Sequence, residues 1–207
     1  MASGCLEAAL PDSIMSDTLR AFIAVELGAE AALAVRSLQR ELADAVPRGA
    51  VRWAKPDQLH LTLQFLGNVV TERVDELKDN LATALDGNPA FTLRLDPIGA
   101  FPSLHAPRVI WVGLAGDLPE LAALQSRAAD ASRDFGDHAE ARDFHPHLTL
   151  GRVNRVSPRE TREIEAALAG QPPPPPAAWR VDEVRLFRSE LQPTGAVYSV
   201  LARFALV

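Results

Sequence analysis

One cysteine, Cys5, is all that the 207 residues contain. That excludes an internal disulfide and any zinc site built on cysteine pairs. The lone thiol fits a reducing cytoplasm, the compartment expected here. Lysine is almost missing too: of 21 basic residues only Lys55 and Lys78 are lysine, the rest being arginine. Arginine suits bidentate contacts with phosphate, but a bias of genomic base composition explains the exchange more simply. No apolar run approaches the ~20 residues that cross a bilayer, so no membrane partner is expected. Residues 1–18 lack a basic n-region and are interrupted by Pro11. They read as a flexible extension, not a secretory signal. Positive charge is in deficit: the net charge is −6, so any phosphate site must be local. Histidine occurs five times, at 60, 105, 138, 145 and 147. No carboxylate or cysteine completes a metal triad around His145 and His147, so no metal and no cofactor are expected.

What is present is a repeated tetrapeptide. His60-Leu61-Thr62-Leu63 recurs as His147-Leu148-Thr149-Leu150, 87 residues later. Both copies lie in apolar runs that read as β-strand. A strand alternates its side chains, so His and Thr share one face and the leucines the other. Around the repeats the pattern predicts strands at 19–27, 51–53, 91–95, 108–114, 179–187 and 196–206, with a loop over 99–107. Periodicity near 3.6 predicts helices at 29–46, 71–85, 117–134 and 158–169. Asp117 with Glu120, and Ser157 with Glu160, form capping-box patterns at two helix starts. The prolines at 172–176 read as a stiff connector. The last two strands form a hairpin across 192–195.

The offset of 87 extends beyond the tetrapeptide. Shifted by it, a strand, a helix, the repeat strand, a helix and a strand of residues 19–98 fall on elements of 106–190 in the same order. This predicts one duplicated, bilobal unit over 19–207, with a pseudo-twofold axis and the two repeat strands beside a shared groove. Two imidazoles in one groove can divide a proton transfer: one accepts while the other donates. In-line displacement at phosphorus needs that pair. Each threonine hydroxyl, two residues on, can bond a phosphate oxygen. Arg152 can add charge. Its odd offset from His147 puts it on the wrong face of a regular strand, so a bulge or bend near Gly151 is required. Phe144 and Arg155 are further candidates for contact with a nucleotide, and Phe101 is a stacking candidate by position. No apolar stripe is left over, so a monomer is expected.

The pair His60-x-Thr62 and His147-x-Thr149 resembles the signature of the two-histidine phosphoesterase superfamily. Within it the chain resembles the RNA 2′,3′-cyclic phosphodiesterases, also known as 2′-5′ RNA ligase-like proteins. RAFIAVEL at 20–27, VRWAKPDQLHLTLQFLG at 51–67, PRVIWVGL at 107–114, HPHLTLGRV at 145–153 and LFRSELQPTGAVYSVLARFAL at 186–206 carry the likeness in order. The resemblance implies an α+β fold with two antiparallel-rich sheets, outer helices and a central groove. It implies metal-independent hydrolysis of a terminal 2′,3′-cyclic phosphate on RNA to a 2′-phosphate. His60 would be the general acid and His147 the general base, with Thr62, Thr149 and Arg152 on the phosphate. The symmetry of the motifs does not itself decide which histidine is which. Two other readings remain at this point: a reversible 2′-5′ ligase acting on tRNA halves, and a non-catalytic RNA- or nucleotide-binding module.

Overall fold

The structure, a computed structural model, describes residues 17–137, 143–175, 177–193 and 195–207. Most of the expected N-terminal extension (1–16), His138 and Pro176 lie outside the described residues. Among the described residues nine strands and four α-helices follow in order: β1 (Thr18–Glu26), α1 (Ala29–Ala45), β2 (Val51–Trp53), β3 (His60–Val70), α2 (Val74–Leu85), β4 (Phe91–Phe101), β5 (Val109–Gly116), α3 (Leu118–Ser132), β6 (His147–Val153), α4 (Pro158–Ala169), β7 (Ala178–Val181), β8 (Glu183–Gln192) and β9 (Gly195–Ala205).

The strands join edge to edge in the order β7-β4-β5-β6-β3-β1-β8-β9, with β2 beside β6. Every pairing is antiparallel. The two expected sheets are the two halves of this array. At its centre β3 meets β6 through a single residue pair, Leu61 opposite Leu148. On either side of that seam the offset of 87 recurs in the pairing itself. Ala24 opposes Thr62 as Trp111 opposes Thr149; Val25 opposes Leu61 as Val112 opposes Leu148; Glu26 opposes His60 as Gly113 opposes His147. The fifth element of each half crosses over. β4 pairs with β5, and β8 pairs with β1.

The helices cover one face of the sheet because each carries a single apolar stripe. Val35, Leu38 and Leu42 are buried on α1; Leu77, Leu81 and Leu85 on α2; Leu121, Leu124 and Ala128 on α3; Ile164 and Leu168 on α4. α1 lies against α4 and β7, while α2 lies against α3 and β9. One continuous apolar core forms between helices and sheet. A smaller cluster of Phe22, Ala24 and Phe187 lies apart from it, with Tyr198 packed alongside. β1 serves both: Ala21, Ile23 and Val25 belong to the helix-side core, Phe22 and Ala24 to the smaller cluster. Alternation within one strand therefore builds two layers.

Three expectations are corrected. The stretch 99–107 is a loop only in its second part, because β4 runs on to Phe101. Gly99 is there for packing: a Cβ on it would stand 2.3 Å from the Trp111 ring. Pro97, which has no N–H to give, falls where the β4–β5 register breaks between Leu95 and Ile98. The expected strand 179–187 is two strands. β7 pairs with β4, and after Asp182 the chain joins β1 as β8, in the other half of the sheet. Asp117 does not cap α3 with its side chain; its Oδ2 accepts instead from the Thr92 N–H at 2.9 Å. Ser157 and Glu160 do form the capping box that opens α4.

Candidate active site

Both tetrapeptides face one groove of about 1460 Å³, lined among others by His60, Thr62, His147, Thr149 and Arg152. The leucines of each repeat are buried on the opposite face. Antiparallel pairing of Leu61 with Leu148 sets His60 across from Thr149, and Thr62 across from His147.

The two rings are held alike. His60 Nδ1–H donates to the Gln58 carbonyl at 2.7 Å, and His147 Nδ1–H donates to the His145 carbonyl at 2.7 Å. A carbonyl only accepts, so the proton is on Nδ1, and Nε2 is the atom that can give or take a proton toward a ligand. The surroundings differ. His60 stacks on Phe22 with ring centroids 4.8 Å apart and meets the edge of Tyr198 at 5.4 Å. His147 stands edge-on to Phe101 at 5.0 Å, with Trp111 at 6.3 Å. Burial lowers the pKa of His60 below its ordinary 6.5, and the bond to the Gln58 carbonyl only partly opposes this. Burial likewise raises the pKa of the Tyr198 hydroxyl, with the charge of Arg152 pulling the other way.

The bulge that Arg152 requires is present. Ile110 pairs with Gly151 and Trp111 with Thr149, so Leu150 is the extra residue, and Arg152 then lines the groove. Gly151 is needed at this kink, since a Cβ there would lie 2.7 Å from Val51 Cγ1. From behind, buried Gln39 on α1 holds the bulge: its Nε2 donates to the carbonyls of Leu150 (2.9 Å) and Ala54 (3.1 Å). The first repeat carries the same irregularity. Ile23 pairs with Gln64 and Ala24 with Thr62, which makes Leu63 the extra residue. Phe65 stands there where Arg152 stands in the second repeat.

Phe144 lines the groove but is also packed against the main core. Phe101 lines it as well, against His147. Arg155 does not line it: β6 ends at Val153, and Arg155 is exposed on the turn that leads to α4. His145 gives its backbone carbonyl to His147. Several lining residues escaped the reading of the sequence. Arg52, Lys55 and Arg108 line the same groove as Arg152, and none of the four forms an ion pair with another described residue. Their signal was available, since Arg52 is paired with Arg152 across β2 and β6, but only once β2 was placed. Tyr198 and Phe22 gave no signal beyond lying in strands.

The fold and the twin His-x-Thr strands define a two-histidine phosphoesterase architecture. Residues 28–193 match the profile described as the 2′-5′ RNA ligase superfamily, and the chain belongs to that family. It is 31% identical over 188 residues to an RNA 2′,3′-cyclic phosphodiesterase of Methanothermobacter thermautotrophicus, spanning 91% of this chain and 99% of that one. It is 32% identical to the RNA 2′,3′-cyclic phosphodiesterase of Escherichia coli, spanning 93% and 99%. Among solved structures it is similar to Escherichia coli LigT complexed with 3′-AMP, at a TM-score of 0.71 and 30% identity over 92% of this chain and 99% of that one.

Proposed function

We propose that this chain is an RNA 2′,3′-cyclic phosphodiesterase, which opens a terminal 2′,3′-cyclic phosphate to a 2′-phosphate without a metal. The observation that carries the reading is the matched pair of imidazoles, each fixed through Nδ1 to a carbonyl and sharing one groove with two threonines and Arg152. His147 Nε2 takes a proton from water as the water oxygen bonds to phosphorus. The bond from phosphorus to O3′ breaks, and protonated His60 gives its Nε2 proton to O3′. The product carries a 2′-phosphomonoester and a 3′-hydroxyl, and solvent exchange resets both rings. Thr62 and Thr149 donate to the non-bridging oxygens, and Arg152 balances the charge that builds on them. The lowered pKa of His60 makes its imidazolium a stronger acid toward the leaving oxygen. The relatives' names support the same substrate class.

The working unit in this reading is residues 19–207, built of two related halves at about 19–98 and 106–190. The shared offset in strand pairing supports it. Among the described residues no helix is long and apolar enough to cross a membrane. A cytoplasmic monomer is part of the proposal, supported by the single cysteine. A second reading, 2′-5′ joining with a 5′-hydroxyl in place of water, is favoured by the size of the groove, which exceeds the usual range of about 300–1,000 Å³ for a small-molecule pocket. Incubation with 2′,3′-cyclic AMP and cyclic-phosphate RNA in EDTA tests the main reading, with products resolved by phosphorus NMR. The expected product is the 2′-phosphate alone. Intact substrate would end the proposal.

A further inference from the structure

Gln58 stands two residues before His60, in the 3₁₀ turn Pro56–Gln58 that leads into β3. It makes two bonds of opposite kind. Its backbone carbonyl accepts from His60 Nδ1–H at 2.7 Å. Its side chain reaches away from the repeat, and Nε2 donates to the Ala196 carbonyl at 2.5 Å. Ala196 lies near the start of β9, the last strand of the sheet, which has β8 as its neighbour. Two residues further along the same strand face is Tyr198, which meets the His60 ring edge-on at 5.4 Å. This end of the hairpin has little packing of its own, since Leu191, Gln192 and Gly195 are exposed. A polar tie there decides where the strand sits. The second half has no such tie. The offset of 87 sets His145 at the position of Gln58. His145 gives its carbonyl to His147 in the same way, but its side chain is exposed beside Phe101.

We propose that Gln58 is a positioning residue for the acid: its carbonyl orients the His60 ring, and its side-chain amide holds the strand of Tyr198 against that ring. This rests on the cyclic phosphodiesterase reading and adds the device that keeps the first imidazole enclosed. A ring pinned at Nδ1 can still swing, and the Tyr198 edge limits that swing. It also keeps water from the ring, which is the cause of the lowered pKa of His60. Loss of the amide would let β9 move off, hydrate the ring and misalign Nε2. The proton passes to O3′ only in the transition state, so the loss would fall on kcat and not on binding. The charged and titratable groups on the surrounding strands are Glu26 of β1, which is bound to Arg185 of β8, Tyr198 of β9, and His147 and Arg152 of β6. Substitution of Gln58 by leucine leaves all of them in place.

Wild type, Gln58→Leu, Tyr198→Ala and the double variant provide the test. Gln58→Leu keeps the size of the side chain and the backbone carbonyl but removes the amide donor. Gln58→Glu, of the same shape and without that donor, takes its place if the leucine variant does not fold. The titration of His60 is followed by NMR of its Cε1–H, and turnover is measured on 2′,3′-cyclic AMP. Gln58→Leu is expected to move the His60 midpoint up, toward its ordinary 6.5. It is expected to lower kcat roughly tenfold or more and to leave KM within about twofold. Tyr198→Ala is expected to raise the midpoint as well, and Gln58→Leu added to it should raise it no further, because the amide acts through the strand that bears Tyr198. A lower melting temperature with midpoint and kcat unchanged, or a rise in KM alone, would overturn the positioning role while the phosphodiesterase reading stands. If wild type leaves 2′,3′-cyclic AMP intact, that reading falls, and the role with it.

Discussion

His60 has a lowered pKa because its ring is buried against Phe22, Phe187 and Tyr198, and a buried imidazolium loses hydration. The sign of the consequence follows from its proposed role. An acid must hold its proton to work, so kcat/KM should fall as pH rises through the pKa of His60, and that limb should begin below pH 6.5. A pH–rate profile on cyclic AMP measures it. A profile with no falling limb would take the acid role away from His60. The same shift bears on stability. The unfolded chain binds the His60 proton more tightly than the folded one, so this contribution is present above about pH 6.5 and is lost as pH falls. His60→Ala and His147→Ala should each lower kcat by about 10²–10⁴ with little change in melting temperature at pH 8. Loss of turnover in only one of them would argue against paired proton transfer.

Local elements show where sequence rules held and where contacts overrode them. Ser157 and Asp117 both carry the capping-box pattern. Only Ser157 forms it, because the Asp117 carboxylate has a competing donor in the Thr92 N–H at the neighbouring strand. Ser157→Ala should therefore cost about 1 kcal/mol in urea denaturation and leave activity unchanged. The glycines at 99 and 151 read as breaks in the sequence yet lie inside strands. Each marks a close approach, to Trp111 and to Val51 respectively, that no local pattern announces. The bulge before Arg152 was legible, since the odd spacing from His147 demanded one. Gln39, which holds that bulge from a helix far away in sequence, was not. Gln39→Leu removes both donors to the Leu150 and Ala54 carbonyls. It should cost about 1–2 kcal/mol of stability and raise KM several-fold through a misplaced Arg152, with kcat less affected. Steady-state kinetics beside a melting curve separates the two effects.

Across the whole molecule, the face bearing the histidines was readable because the motif occurs twice, and a period of two leaves no choice of face once the leucines are buried. The walls of the groove were not readable. Tyr198 lines it from β9, and behind it Phe22 of β1 and Phe187 of β8 pack beside His60; only the exchange of β8 into the first half brings the three rings together. That exchange also means that neither half owns a complete sheet. Fragments 1–104 and 105–207 should each fail to show native circular dichroism alone, and should recover it, with activity, when mixed after co-refolding. A cooperatively folded single fragment would contradict the exchanged topology. The cationic strip of Arg52, Lys55, Arg108 and Arg152 gives a further expectation. KM for a cyclic-phosphate oligoribonucleotide should rise with added salt more steeply than KM for cyclic AMP, because more phosphates are neutralised.

The pairing of β1 with β8 has a consequence for how the protein comes into being. β1 emerges early from the ribosome, yet β8, one of its two partner strands, and the Tyr198 ring beside His60 are translated near the end. Until then Phe22 has no Phe187 to lie against, and the first imidazole lacks the Tyr198 edge that covers it in the finished fold. Long-range pairing of this kind forms slowly compared with helices. An unfinished or truncated chain therefore holds both signature tetrapeptides but not the environment of the proposed acid, and catalytic competence would report that synthesis has run to its last strands.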